Sequence, residues 1–305
     1  MKIAYELPAT VLDNAELVRM YTDWTEDKIM GKTGIASRHV AASDETAVDL
    51  AERAAKRLFQ EHGVKPSSVD FVLLCTQSPA YRLPTSACIL QDRLGLPTTA
   101  GALDFNLGCS GFIYGLSLAK GLAASGTAKS ILLLTAETYT KYIDPADRST
   151  RTIFGDGAAA TLIDEAAAAK IGAFSFGTDG AGAEGLIVRD GRLFMDGPEI
   201  FNFTLDIVPQ TMEDVLAKNN LSHGDIDLYV FHQANKFMLD TIRKVNGLPR
   251  DKFYVNLETT GNTVSSTIPI ALKQLEMSGR MQPGMKVMLM GFGVGLSWGA
   301  TVITV

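Results

Sequence analysis

Two stretches of this chain repeat one another at about half its length, and no other sequence feature restricts the fold as much. GVKPSSVDFVLLCTQ, from Gly63, aligns with NLSHGDIDLYVFHQ, from Asn220. Val64 then falls on Leu221, Val69 on Ile226 and Asp70 on Asp227, each pair 157 residues apart. The same offset sets Lys129 on Lys286, each opening an apolar run. At 153, Gly108 falls on Gly261, Lys120 on Lys273 and Ser125-Gly126 on Ser278-Gly279. Several matches in order, at nearly one offset in 305 residues, predict a duplicated unit. Apolar residues at three-to-four spacing predict helices over Ala47–Gln60 and Leu205–Asn219. Runs of Leu, Val, Ile and Phe at Phe71–Leu74, Ile131–Leu134 and Leu228–Phe231 predict buried strands. Such strands alternating with helices require sheets covered on both faces. The expectation is two similar α/β halves, residues 1–165 and 166–305, packed together.

Composition narrows the function. The chain is 46% hydrophobic and 20% charged, which is ample for a core. A net charge of −6 with no basic run argues against binding a nucleic-acid backbone, but leaves room for a local patch that grips one phosphorylated ligand. Three scattered cysteines, Cys75, Cys88 and Cys109, form neither a disulfide lattice nor a metal motif, so a reducing, cytoplasmic setting and no metal are expected. The N-terminus lacks a signal-peptide apolar stretch. Val287–Val305 is 19 residues without a charge, with Gly291, Gly295 and Gly299 at small-xxx-small spacing, long enough to be weighed as a membrane span. Its β-rich ends, its glycine-rich middle and the lack of a basic or aromatic anchor favour strand, glycine loop, strand, with no membrane insertion.

Three residues carry candidate chemistry. Cys109 follows a strand at Ala102–Phe105 and precedes a helix expected over Phe112–Ala124. A helix N-terminus between glycines favours a thiolate there. Cys75 and Cys88 read as core residues. His232 stands at the C-terminal end of a strand, where α/β proteins place ligands, with a helix starting at Asn235. His39, His62 and His223 read as solvated. Asn262 lies in a glycine-bearing turn between a strand expected at Phe253–Leu257 and a helix that holds Pro269 in its first part. Cys109 corresponds to Asn262 at offset 153, and Cys75 to His232 at 157, so related strand ends of the two halves could meet at one pocket. GFGVGLSWG (291–299) lacks the following helix of a dinucleotide fingerprint and reads instead as an oxyanion donor.

At these residues the chain closely resembles the β-ketoacyl-acyl-carrier-protein synthase III family of the thiolase superfamily. The resemblance runs through Thr33-Gly34-Ile35 with Arg38-His39, PTSACILQDRLGL (84–96), DFNLGCSGF (104–112), AET (136–138) and DR…FGDGA (147–158). It continues through HQAN (232–235), GNT (261–263) and the terminal GFGVGLSWG. It implies a duplicated five-layer αβαβα sandwich, a homodimer, and no cofactor beyond coenzyme A (CoA) thioester substrates. Cys109 would accept the acyl group of an acyl-CoA. His232 and Asn262 would activate the malonyl thioester of a malonyl-acyl carrier protein for decarboxylative Claisen condensation. The N–H groups of Cys109 and Val294 would form the oxyanion hole. By the same resemblance Lys32 and Arg148 contact CoA, Asn235 lies near its pantetheine arm, and Leu83 reaches into a partner subunit's acyl pocket.

Departures from the family pattern bear on the carrier. Lys28 stands where the family has an adenine-stacking Trp, Lys32 replaces an Arg, and Phe237 replaces a carrier-docking Arg, with Lys236 beside it. A specialised ketosynthase or acyltransferase of secondary metabolism would use the same three residues. Cys, His and Asn in this order also occur in papain-like hydrolases, but the CGSCW-type context is absent and hydrolysis leaves the internal echo unexplained.

Overall fold

A computed structural model describes all 305 residues, and its strands alternate as the apolar runs require. The first sheet has the order β1 (Lys2–Glu6), β7 (Gly157–Asp164), β6 (Ser130–Glu137), β4 (Phe71–Cys75), β5 (Gly101–Phe105). The second runs β8 (Ile171–Thr178), β13 (Ser297–Thr304), β12 (Lys286–Gly293), β11 (Leu228–Phe231). The pairings match position by position. β1–β7 and β8–β13 are antiparallel, as are β6–β7 and β12–β13, whereas β4–β6 and β11–β12 are parallel.

Strand periodicity sorts the side chains into three cores. Leu73, Ile131 and Leu133 of the first sheet share the central core with Val230, Val287 and Leu289 of the second. Between them lie α5 (Gly111–Ala124), with Phe112 and Leu116, and α10 (Thr267–Met277), with Ile268 and Leu272. The opposite face of the first sheet, Val72, Leu74, Leu132 and Leu134, packs under α3 (Ala47–His62) and α4 (Ser86–Arg93). The opposite face of the second, Tyr229, Phe231, Met288 and Met290, packs under α8 (Gly197–Lys218) and α9 (Lys236–Val245). The result is five layers, helix, sheet, helix, sheet, helix. Smaller elements frame them: β2 (Thr10–Asp13) pairs with β3 (Ser37–Val40) around α1 (Asn14–Met20) and α2 (Glu26–Thr33). Short α6 (Arg148–Arg151) and α7 (Glu165–Ala169) flank β7, and β9 (Leu186–Arg189) pairs with β10 (Arg192–Met195).

The sequence echo has physical content. The Asp70 carboxylate accepts the N–H groups of Lys129 and Ser130 at 2.8 and 2.9 Å, and Asp227 accepts that of Lys286 at 2.8 Å. Helices α5 and α10 both end at glycines in the left-handed region, Gly126 (φ 70°) and Gly279 (φ 68°), where a Cβ would be strained.

Several expectations change. Phe253–Leu257 is not a strand: it is extended, with one parallel bridge from Phe253 to Tyr229. The Asn256 N–H turns away to the Gln233 side-chain oxygen at 2.8 Å, which ends the ladder. Helix α8 starts eight residues before the expected Leu205, because Asp196 caps it and Pro198 suits the first turn. Cys88 is exposed on α4, not core, whereas Cys75 is buried. His39 and His62 are half-buried, and His39 Nδ1 lies 2.6 Å from the Pro8 carbonyl; His223 is exposed. The Val287–Val305 stretch forms β12 and β13 around a turn at 294–296, and no helix is long and apolar enough to cross a membrane.

Two glycines give opposite predictions. A Cβ on Gly291 would lie 2.6 Å from the Cys109 carbonyl oxygen and 2.8 Å from Ser110 Cα, both backbone, whereas one on Gly121, in α5, would meet nothing within 4 Å. In urea titrations Gly291→Ala should destabilise the fold by about 1–3 kcal/mol, and Gly121→Ala should stabilise it by about 0.5–1 kcal/mol. Equal midpoints would refute the close packing of β12 against the start of α5.

Candidate active site

Cys109, His232 and Asn262 line one buried chamber of about 110 Å³, together with Asn235, Phe154 and Phe292. Each arrives by a different device. Cys109 lies in the turn from β5 to α5, and its neighbour Gly108 is needed there because a Cβ would fall 2.6 Å from Val294 Cγ1 and 2.7 Å from Gln77 Oε1. His232 directly follows β11, where its N–H donates to the Met290 carbonyl at 2.8 Å. Asn262 follows Gly261 (φ 64°), and its Oδ1 accepts the Val264 N–H at 2.8 Å, which turns Nδ2 toward His232 Nε2 at 3.4 Å. Val264 itself is buried at φ 55°, a left-handed conformation costing a β-branched residue about 1–3 kcal/mol.

The imidazole is set by one hydroxyl. His232 Nδ1 lies 2.8 Å from Thr267 Oγ1, which is also 3.1 Å from the Val264 carbonyl. Thr267 has one proton to give. If it goes to the carbonyl, Nδ1 carries the ring proton and Nε2 is a bare base; if it goes to Nδ1, Nε2–H becomes a donor. Burial holds the His232 pKa down to about 3, so the ring is neutral.

Cys109 departs from the expected thiolate. Burial, and then the Glu137 carboxyl, push its pKa up to about 12, against the pull of the Cys109 and Val294 N–H groups. The positive end of α5 does not overcome desolvation, so the resting sulfur is a thiol. Those two N–H groups nonetheless favour negative charge at the sulfur, the property an oxyanion hole needs beside it.

Other expected residues lie further out. Lys32 Nζ and Arg148 Cζ stand 5.2 and 5.7 Å from the Trp24 ring centre, with Lys28 Nζ at 4.9 Å. Arg148 also pairs with Asp23. Asn235 lines the chamber and caps α9, its Oδ1 accepting the Met238 N–H at 2.9 Å. Leu83 is 86% exposed. Phe237 is exposed and stacks on Phe201 with ring centres 5.4 Å apart.

Sequence reasoning missed two residues. Trp24 is an aromatic in a polar stretch, one helical turn before Lys28, and that isolation was its signal. Glu137 is the one charged residue of β6 and closes it. Both its oxygens accept the Gln77 N–H (3.0 and 3.1 Å), one takes the Ser78 hydroxyl at 2.9 Å and the other the Ser265 hydroxyl at 3.3 Å. Burial pushes its pKa up to about 8.

A pH dependence follows from Glu137. Between its usual range near 4.5 and about 8 the folded state holds a proton that the unfolded state releases, so stability falls as pH rises through this window. His232, depressed from 6.5 to about 3, acts oppositely as pH falls below 6.5. Comparing wild type with Glu137→Gln in urea titrations from pH 5 to 9 isolates the first effect. The variant should lose less stability on going alkaline, and parallel curves would show that Glu137 is already ionised.

Residues 103–180 match the family described as 3-oxoacyl-[acyl-carrier-protein] synthase III, and residues 216–305 match its C-terminal family. A β-ketoacyl-[acyl-carrier-protein] synthase III of Clostridium perfringens is 35% identical, over 97% of this chain and 95% of that protein. A crystal structure of a 3-oxoacyl-(acyl-carrier-protein) synthase III superposes with a TM-score of 0.95 at 48% identity, covering 99% of this chain and 98% of the other. The synthase III structure from Thermus thermophilus gives 0.92 at 36% identity, covering 99% and 98%. With relatives this similar along nearly the whole chain, and with a duplicated five-layer fold enclosing a cysteine, a histidine and an asparagine, the protein belongs to the β-ketoacyl-acyl-carrier-protein synthase III family.

Proposed function

We propose that this enzyme transfers an acyl group from acyl-CoA to Cys109 and condenses it with a malonyl-acyl carrier protein, giving a β-ketoacyl product and carbon dioxide. The observation that carries this reading is the shared chamber of Cys109, His232 and Asn262. His232, neutral with Nε2 bare, takes the Cys109 proton as the sulfur attacks the thioester carbonyl. The oxyanion is held by the N–H groups of Cys109 and Val294, a contribution of about 3–4 kcal/mol per donor in comparable sites. The departing CoA thiolate recovers the proton from His232.

In the second half-reaction the neutral ring takes its other tautomer, its Nδ1 proton passing to water and an Nε2 proton arriving from water as CoA leaves. The Thr267 hydroxyl then turns to Nδ1, and Nε2–H joins Asn262 Nδ2 as a donor to the malonyl thioester oxygen. Carbon dioxide leaves, and the enolate carbon attacks the acyl carbonyl. The carbon–carbon bond forms, the tetrahedral oxyanion collapses, and the Cys109 sulfur departs as a thiolate that takes a proton from water to return to the resting thiol. A neutral, buried pair suits this step, since it stabilises enolate charge without a resident ion to repel or protonate it.

Surrounding features support the substrate assignments. Trp24 with Lys28, Lys32 and Arg148 forms a cationic aromatic platform suited to the adenine and phosphates of CoA. Asn235 reaches the pantetheine arm at the chamber. Lys236, Arg243, Arg250 and Arg280 outnumber Asp240 and Glu258 in a groove of about 320 Å³, a balance that suits an acidic carrier protein. The open edge of β5, with exposed Leu103, and the 86% exposed Leu83 support a homodimer in which Leu83 enters the partner's acyl pocket. Free thiols support a cytoplasmic site of action.

Intact-mass spectrometry after incubation with acetyl-CoA should show one added acetyl group on wild type and none on Cys109→Ala. His232→Ala and Asn262→Ala should each slow malonyl decarboxylation by about 10²–10³. An acylated Cys109→Ala protein would sink the reading.

A further inference from the structure

A second cavity, of about 320 Å³, shares the Leu186 wall with the catalytic chamber. It adjoins Cys109 through that residue's neighbour Gly108. Val294 and Gln77, which line it, are the two side chains closest to Gly108, and Leu186 lies in the wall between it and the catalytic chamber. An acyl group on Cys109 that vacates the small chamber for the malonyl donor has this cavity to enter.

The cavity has two unlike walls. Leu186, Ile187, Val188 and Leu193, from β9 and β10, make one apolar. The other is a hydrogen-bonded chain. The Tyr139 hydroxyl donates to Gln77 Oε1 at 2.6 Å, Gln77 Nε2 donates to Asn106 Oδ1 at 3.0 Å, and the Tyr142 hydroxyl donates to the Gln77 carbonyl at 3.3 Å. Gln77 is itself pinned through its N–H to the buried Glu137. The chain leaves unused hydrogen-bonding capacity on residues that line the cavity: the second N–H of Gln77, the amide of Asn106, and the lone pairs of the Tyr139 hydroxyl. Plain alkyl sliding along this wall displaces water from those groups and replaces none of its bonds; an oxygen substituent replaces them.

We infer that the primer of this enzyme is a short acyl group with an oxygen substituent along its chain, held by Gln77, Asn106 and Tyr139 while its carbons lie on the β9–β10 wall. This assignment depends on Cys109 being the acyl acceptor, as proposed above.

The test compares Cys109 acylation rates, by intact mass, with butyryl-CoA, 3-hydroxybutyryl-CoA and 4-hydroxybutyryl-CoA at equal concentration. For wild type, one of the hydroxylated thioesters should react about tenfold faster than butyryl-CoA, a modest ratio for a site that hydrogen-bonds its substrate. In Gln77→Leu and Tyr139→Phe that ratio should fall toward one. A wild-type enzyme that takes butyryl-CoA as fast as both hydroxylated thioesters overturns the inference and leaves the condensation reading intact. A ratio unchanged in both variants also overturns it. Failure of every thioester to label Cys109 removes the acyl acceptor and both readings with it. If a variant fails to fold by circular dichroism, the wild-type ratio decides alone.

Discussion

The central layer of the molecule depends on how closely the two halves approach across the start of α5. The backbone of β12 at Gly291 lies against the Cys109 carbonyl and Ser110, with no room for a Cβ. Two residues on, Gly293 brings the same strand to the sulfur. On the other side Gly111 sits over Cys75, where an added Cβ would fall 2.2 Å from the Cys75 sulfur. Cys109 is therefore clamped between strands of opposite sheets, and side chains would only push them apart. Helices α5 and α10, apolar around most of their surface, fill the remaining space between the sheets.

That packing sets the electrostatics. Burial leaves no strong resident charge beside the substrate: the imidazole is neutral, the sulfur is a thiol, and the nearest acid, Glu137, is pushed toward its neutral form. In the proposed reaction, reactivity depends on hydrogen bonds that change during turnover, not on a preformed ion pair. Thr267, Asn262 and the N–H groups of Cys109 and Val294 are the donors and acceptors in place for this. The strained Val264 shows that the loop carrying Asn262 is held by its surroundings, not by local preference.

Much of this was legible in advance because duplication writes the same physics twice. The echo between Asp70 and Asp227 marks carboxylates that fasten equivalent strands, and the echo between Gly126 and Gly279 marks equivalent helix ends. The apolar runs of four or five residues identified strands covered on both faces, and Cys109, His232 and Asn262 stood out at their ends. Where local pattern misled, a tertiary partner had intervened. Gln233 drew Asn256 out of the expected fifth strand, and Asp196 began α8 early. Cys88 looked like core by composition but lies on the outer face of α4.

By itself the sequence determined two α/β halves and the strand ends on which chemistry could sit, because strand and helix periodicities and glycine turns are local properties. Only the tertiary structure decided that the sulfur rests as a thiol, that Glu137 acts on its charge, that Trp24 gathers Lys28, Lys32 and Arg148, and that a polar wall borders the second cavity. Those outcomes depend on desolvation and on side chains far apart in the chain, such as Gln77 with Tyr139 or Trp24 with Arg148, and no local pattern encodes either.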